Sequence, residues 1–242
     1  MRFRSWMSAI VVGLVMTLAV QAQEQVKITG DVRDADGKAV AGADVATFWV
    51  ADTGTMQPLN GVKTDKEGKF SLSVQSGFAQ GFLAMDKDRK SGGLVISDGK
   101  SANKPLEIKL GPLVKVHGDF FCKETNKRPT WTNVYLSIPP LRLRVAQCSS
   151  TKAEFSFLLP AGAYQFWGYG SDVQNVNKEL TFAADKPDLD LKTIDMEATI
   201  IARHIGKDPP DWHVTDARGA KKDVKLSDFK GKWVLVEFWG FW

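Results

Sequence analysis

Cys122 and Cys148 are the two thiols of the chain, and thiols are its most reactive side chains. Such a pair can form a structural disulfide, remain as two buried free thiols, or exchange disulfides through a reactive thiolate. Their spacing is nothing like C-x-x-C, and no other pair exists, so a structural bridge is expected and redox chemistry at these positions is not. Closing a loop of about 27 residues would stabilise the fold by roughly 3 to 3.5 kcal/mol in the chain-entropy model. Other groups have plainer roles. His117 lies on a strand-like run with Val114 and Val116. A zinc site needs three or four donors and none accompany it, so a structural or solvent-facing role is expected. Asp34, Asp36, Asp65 and Glu67 fall at turns. The ligand spacing of a calcium loop is absent, and Asp favours turns because its carboxylate accepts local backbone hydrogen bonds. No metal or cofactor is expected. Tyr164 to Gly170 (YQFWGYG) can offer rings for stacking on a sugar, or simply pack as the core of a strand.

The elements that hold these residues are short alternating runs from Gln25 to about Ala198. VKITGDV, ADVATFWV, FAQGFLAMD and LEIKL read as strands, and TDKEGKFSLSV reads as a hairpin around Gly68. The second half repeats the first. Val26 to Asp31 returns as Val114 to Asp119, and Gly68 to Leu72 returns as Ala153 to Phe157, 85 positions on. A period this long exceeds that of solenoid repeats and indicates two tandem β-sandwich units, 23–111 and 112–198, meeting at Gly111-Pro112. The fold class expected is therefore mainly β.

GDVRDADGKAVAGADV followed by KTDKEGKFSLSV resembles the carboxypeptidase regulatory-like family, small prealbumin-type sandwiches. The second unit, with Cys122 and Lys127-Arg128-Pro129 in place of the Asp-Gly turn, fits it loosely. The resemblance implies an accessory domain without a catalytic site of its own.

Residues 1–22 carry Arg2 and Arg4, an apolar run from Met7 to Val20, and small residues at Val20 and Ala22. The run is short of the roughly 20 residues that cross a bilayer, so a cleaved export signal is expected rather than a permanent anchor. Its removal takes away two arginines and lowers the formal charge from +4 to +2. Charges this balanced give no electrostatic case for nucleic acid. Apolar residues at 43% and charged residues at 25% are globular values, not those of a disordered chain. Export, to the periplasm or beyond the cell, also suits a disulfide.

After Asp195 the pattern breaks. Residues 199–210, ending in Pro209-Pro210, read as a linker, and 211–242 as strand, turn, strand, turn and a final apolar strand. This segment resembles the opening of a thioredoxin-like domain of exported thiol–disulfide oxidoreductases and redoxins. The matching residues are Pro210-Asp211-Trp212, the Asp216–Gly219 turn, then Leu226, Ser227, Asp228, Phe229 and Gly231, then Phe238, Trp239 and Trp242. The resemblance implies an incomplete α/β unit, its first strands only, whose C-x-x-C would begin after Trp242. The terminal Trp-Gly-x-Trp favours that branch over peroxiredoxin-type peroxidases. Partners would be protein thiols and disulfides. The 242 residues contain no C-x-x-C, so no catalytic residue is carried over, and the chain is expected to be inactive by itself and to be a fragment or frameshift product. The alternative expectation is a non-catalytic exported β-sandwich binding module with a vestigial tail. In a third, the apolar strand pairs with another chain.

Overall fold

Lys69–Gln75 alternates strictly, with Phe70, Leu72 and Val74 buried and the residues between them exposed. A period of two puts every apolar side chain of such a strand on one face, which must be covered by a second sheet. The computed structural model describes residues 25–52, 55–98, 104–208 and 216–237. The expected export signal lies outside the described residues, as do Pro209 to Trp212, Phe238, Trp239 and Trp242.

The first unit contains β1 (Gln25–Arg33), β2 (Asp44–Ala46), β3 (Phe48–Asp52), β4 (Thr55–Leu59), β5 (Val62–Lys63), β6 (Lys69–Gln75), β7 (Gln80–Met85), β8 (Ser91–Ser97) and β9 (Leu106–Lys109). The second contains β10 (Gly111–Phe121), β11 (Thr132–Ile138), β12 (Leu143–Ser150), β13 (Glu154–Pro160), β14 (Gly162–Gly170), β15 (Val176–Phe182) and β16 (Asp188–Asp195). The wiring is the same twice. β1 lies between antiparallel β6 and parallel β9, and β10 between antiparallel β13 and parallel β16. The opposing sheet runs β5-β2-β7-β8 in the first unit and β12-β11-β14-β15 in the second. Equivalent backbone bonds recur too: Val32 N–H donates to Gly68 O and Phe120 N–H to Ala153 O, each at 2.8 Å.

The β3–β4 hairpin has no counterpart in the second unit. β3 pairs in parallel with β12, with Trp49, Val50 and Ala51 opposite Ala146, Gln147 and Cys148, so the hairpin extends the second unit's sheet to six strands. ADVATFWV is therefore not one strand. It breaks at Thr47, and its halves join different sheets. TDKEGKFSLSV is likewise not a hairpin: β5 pairs with β2 and β6 with β1, and the Gly68 turn carries the chain between sheets. Local pattern marks both runs as extended, but partner choice is set by which sheet buries their apolar sides. The result is two linked cores. One centres on Ile28, Phe70, Leu72, Phe82 and Ile108. The larger one centres on Phe120, Phe155 and Phe166 and also takes in Trp49, Leu83 and Met85 from the first unit.

Residues 199–208 do not form a free linker. Thr199 caps a short helix, α1 (Ile200–His204), its hydroxyl accepting the Ala202 N–H at 3.1 Å. Residues 216–237 contain a 3-10 turn at Leu226–Phe229 and no strand. Trp233 and Leu235 are 103% and 93% exposed, so the apolar run lacks a ladder partner among the described residues. Backbone groups form strands only when another chain segment lies alongside, whatever the side-chain pattern. The expected first strands of an α/β unit are thus not formed in this segment.

Both central strands carry a glycine beneath a cross-strand phenylalanine. A Cβ on Gly30 would lie 2.3 Å from Leu106 O and 2.7 Å from the Phe70 ring. On Gly118 it would lie 2.8 Å from Lys192 O and 2.9 Å from the Phe155 ring. Gly30→Ala and Gly118→Ala are each expected to destabilise the fold by about 1 to 3 kcal/mol, Gly30→Ala the more. Gly111→Ala, where nothing lies within 4 Å, should be near neutral by comparison. Urea unfolding midpoints will show whether this order holds.

Candidate functional site

The chain leaves β10 at Cys122 and turns back at once. Cys122 N–H donates to Lys127 O at 2.9 Å and Lys127 N–H donates to Cys122 O at 3.2 Å. The turn places Glu124 opposite α1, where its carboxylate receives Arg203 through Nε at 2.6 Å and a second guanidinium nitrogen at 2.9 Å. The same carboxylate accepts the Ala198 N–H at 3.2 Å. Arg203 holds the Glu124 carboxyl below its ordinary range, chiefly through this forked hydrogen bond. A cleft of about 570 Å³ opens here, lined by Cys122, Glu124, Arg128, Val173, Ala202 and Arg203 among others. Glu124, Arg128 and Arg203 are already paired, and Cys122 is only 1% exposed. It offers shape and polarity but no exposed thiol.

Cys148 is buried on β12, between Val134 of β11 and Ala51 of β3. Burial pushes its thiol up, opposed in part by a backbone hydrogen bond from Ser156. Both thiols are free. The expected Cys122–Cys148 bridge is absent, and register explains why. Cys148 touches Ser156, which pairs with His117, whereas Cys122 lies five residues further along the β10 strand. Five residues of strand span about 16 Å, well beyond the roughly 7 Å between Cα atoms that a disulfide tolerates.

His117 ties β10 to β16. Its Nε2 lies 2.8 Å from Asp188 and its Nδ1 3.8 Å from Asp190, beside the register shift between His117 and Asp119. Asp190 is held below the usual carboxylate range, first by its hydrogen bond from Lys192. Asp34 and Asp65 build turns. The N–H groups of Asp36 and Lys38 donate to Asp34 at 2.9 Å each, and those of Glu67 and Lys69 donate to Asp65 at 3.0 and 2.8 Å. Among the described residues no three His, Cys, Asp or Glu side chains converge as a metal site would require.

YQFWGYG divides between both readings, as alternation on β14 demands. Tyr164 and Phe166 are buried, and the Tyr164 hydroxyl donates to Pro160 O at 3.0 Å. Gln165, Trp167 and Tyr169 face outward. Beside them stand Trp131, just before β11, and Tyr135 on it, two residues without an assigned role in the sequence. The spacing of WTNVYLS, with Trp131, Asn133, Tyr135 and Ser137 two apart, was the signal that would have found them. The Glu124–Arg203 pair, 79 positions apart, left no such signal.

In the C-terminal segment, Leu226, Ser227, Asp228 and Phe229 form the 3-10 turn. Asp228 accepts the Lys225 N–H at 3.0 Å, and Lys230 N–H donates to Ser227 O at 3.2 Å. Gly231 follows at φ +81°, a conformation costly for residues with a Cβ.

Fold and site together define a mainly β chain of two similarly wired sandwich units. No family model matches the chain. A 38-residue stretch is 53% identical to the thiol-disulfide oxidoreductase ResA of Bacillus thuringiensis subsp. konkukian and to that of Bacillus cereus, covering 16% of this chain. The chain thus matches about a fifth (21%) of the length of these curated relatives. Among solved structures, it is similar to the Bacillus anthracis TIE protein, with TM-score 0.34 and 11% identity over 72% of this chain and 34% of that one. The Streptococcal ancillary pilin is similar with TM-score 0.32 and 10% identity, over 74% of this chain and 64% of that one. Among the described residues no helix is long and apolar enough to cross a membrane.

Two outcomes are expected. Cys122 and Cys148 should resist dithiobis(nitrobenzoate) in the folded chain and both react in guanidinium. A mass lower by two thiol hydrogens without reductant would contradict the free-thiol assignment. Because the Glu124 pKa is lowered on folding, its contribution is present above the ordinary value of about 4.3 and is lost as pH falls through the depressed value. The hydrogen-exchange protection of the α1 amides, taken relative to the intrinsic rate at each pH, should fall over that acidic window in the parent chain. In Glu124→Gln it should be lower and independent of pH over the same window.

Proposed function

We propose that the chain serves an exported thiol–disulfide oxidoreductase of the thioredoxin-like class, with the two sandwich units as its accessory part. The observation that carries this reading is the 38-residue stretch 53% identical to ResA. We assign that stretch to the C-terminal segment, which holds the Leu226–Gly231 turn and the apolar run from Trp233 onward. The catalytic pair would begin after Trp242. A first cysteine at a helix N-terminus, its thiolate favoured by backbone N–H groups, would attack a protein disulfide, form a mixed disulfide and release one substrate thiolate. The second cysteine would attack that mixed disulfide, releasing the other substrate thiol and leaving an enzyme disulfide for an external reductant. Cys122 and Cys148 suit neither role, being buried, with the Cys148 thiolate further disfavoured. Substrates of this class are protein thiols and disulfides, met in the periplasm or outside the cell.

A second reading, an exported non-catalytic binding module, is favoured by Trp131 and Trp167, 46% and 43% exposed on the second unit.

The 242-residue chain is expected to give no insulin turnover above the dithiothreitol background. DNA beyond the Trp242 codon is expected to encode C-x-x-C, in frame or shifted, and the extended chain should reduce insulin. An intact locus without that motif would sink the oxidoreductase reading. Turnover by the 242-residue chain that Cys122→Ser or Cys148→Ser abolishes would move the chemistry into the sandwiches.

A further inference from the structure

The outer face of the six-stranded sheet, β15-β14-β11-β12-β3-β4, lacks the composition of an ordinary solvated sheet face. Cross-strand register places Asn177, Trp167, Tyr135 and Gln147 in one row and Tyr169, Asn133 and Ser149 in the next. Aromatic rings and carboxamides therefore occupy positions where charged side chains usually meet water. The rings form one stripe. Trp131 meets Tyr169 edge-on at 5.8 Å, Tyr169 lies nearly parallel to Tyr135 at 6.1 Å, and the Arg144 guanidinium covers Tyr135 at 4.5 Å. Trp167 stands beside Tyr135 on the neighbouring strand and keeps 43% of its surface exposed.

A hollow lies at each end of the stripe. One, of about 270 Å³, is lined by Tyr135, Arg144, Trp167, Tyr169 and Asn175. The other, of about 320 Å³, is lined by Trp131, Thr132, Asn133, Ser149, Ser150 and Thr151 among others. On this face Asn133 Oδ1 is buried and has no hydrogen-bond partner, whereas Thr132 lies with Val134 and Leu136 on the core side of β11. A buried polar atom left unpaired costs about 1 to 3 kcal/mol, so Asn133 is poised to gain from a ligand hydroxyl.

We propose that this face binds a neutral saccharide chain. Sugar rings stack on the Trp131, Tyr135, Trp167 and Tyr169 stripe, and their hydroxyls bond to Asn133 and the surrounding amides. A pyranose ring has an apolar C–H face and a rim of hydroxyls, and the sheet presents the complement of both. Carboxamides suit that rim because each offers two donors and an acceptor. Gln165 and Asn177 hydrogen-bond to each other, and Gln147 donates to Ser149 at 3.3 Å, so capacity remains at each. Charge selects against the other ligands of aromatic platforms. Single-stranded nucleic acid needs a basic groove, and here Arg144 and Lys152 are balanced by Asp52 and Glu179. This proposal goes beyond thiol exchange, and its failure leaves the test for a downstream C-x-x-C untouched.

The full chain is titrated calorimetrically with cellohexaose, xylohexaose, mannohexaose and chitohexaose. At least one is expected to bind. Trp167→Ala and Tyr135→Ala should each weaken binding roughly tenfold or more, the usual effect of losing a central aromatic anchor. Trp167→Tyr should restore most of it, while Trp233→Ala, at a fully exposed position in the C-terminal segment, should change nothing. Retained circular dichroism identifies folded variants, and Trp167→Tyr keeps the stacking arm readable if Trp167→Ala misfolds. The proposal is overturned if none of the four oligosaccharides binds, or if both alanine variants bind normally. It is equally overturned if oligo(dT) binds in their place, or if Trp167→Ala merely dissolves a dimer seen by sedimentation.

Discussion

Three parallel residue pairs, Trp49, Val50 and Ala51 beside Ala146, Gln147 and Cys148, join the two units into one body. Parallel strands cannot be joined by a tight turn, and here the partners are 97 positions apart (146 − 49), with β4 to β11 between them. Trp49 is the centre of the junction and is fully buried in the larger core. Its indole N–H has no hydrogen-bond partner, a penalty of about 1 to 3 kcal/mol. Burying an indole of about 200 Å² returns on the order of 5 kcal/mol, so packing wins over the lost hydrogen bond. The Arg89 guanidinium, 4.6 Å over the ring and bonded to Asp44 at 3.2 Å, adds to that side.

The junction has consequences for the surface as well as the core. Without β3 and β4 the second unit's outer sheet would end at β12. With them it is six strands wide, and the stripe strands β11 and β14 are flanked on both sides in either case. Tyr135, Trp167 and Tyr169 thus stand on strands paired on both sides, which fixes ring positions that an edge strand would leave loose. The opposite sheet of the same unit does other work. Its strand β10 holds His117 against Asp188 and ends in the turn that presents Glu124 to Arg203, fastening α1 beside the cleft.

Reactive chemistry and binding are therefore separated in this molecule. Both thiols lie in the packed interior, one with its thiolate penalised by burial, and the carboxylates picked out at turns are occupied by backbone N–H groups. What remains available to a partner is a neutral face of rings and amides. The Leu226–Phe229 turn and the exposed Trp233 to Val236 beyond it form a separate feature that makes no strand with the sandwiches among the described residues.

The strand runs, the turns at Asp34 and Asp65, and the internal duplication were all legible in the residues, because each depends on neighbours a few positions apart. The recurrence of Gly30 with Phe70 as Gly118 with Phe155 went further, since a glycine under a cross-strand ring is a contact written twice. Other features had no local trace. The break at Thr47, the separation of Cys122 from Cys148 and the Glu124–Arg203 pair depend on which strand lies beside which. Alternation states that one face of a strand is buried; it does not state against what. Residues 233–237 of the apolar run show the same limit from the other side, reading as strand by composition yet forming none among the described residues. The sequence alone thus determined the mainly β character and the twofold plan, through local periodicity. Only the tertiary structure decided the cross-unit pairing and the aromatic face, because both arise from register between segments far apart in the chain.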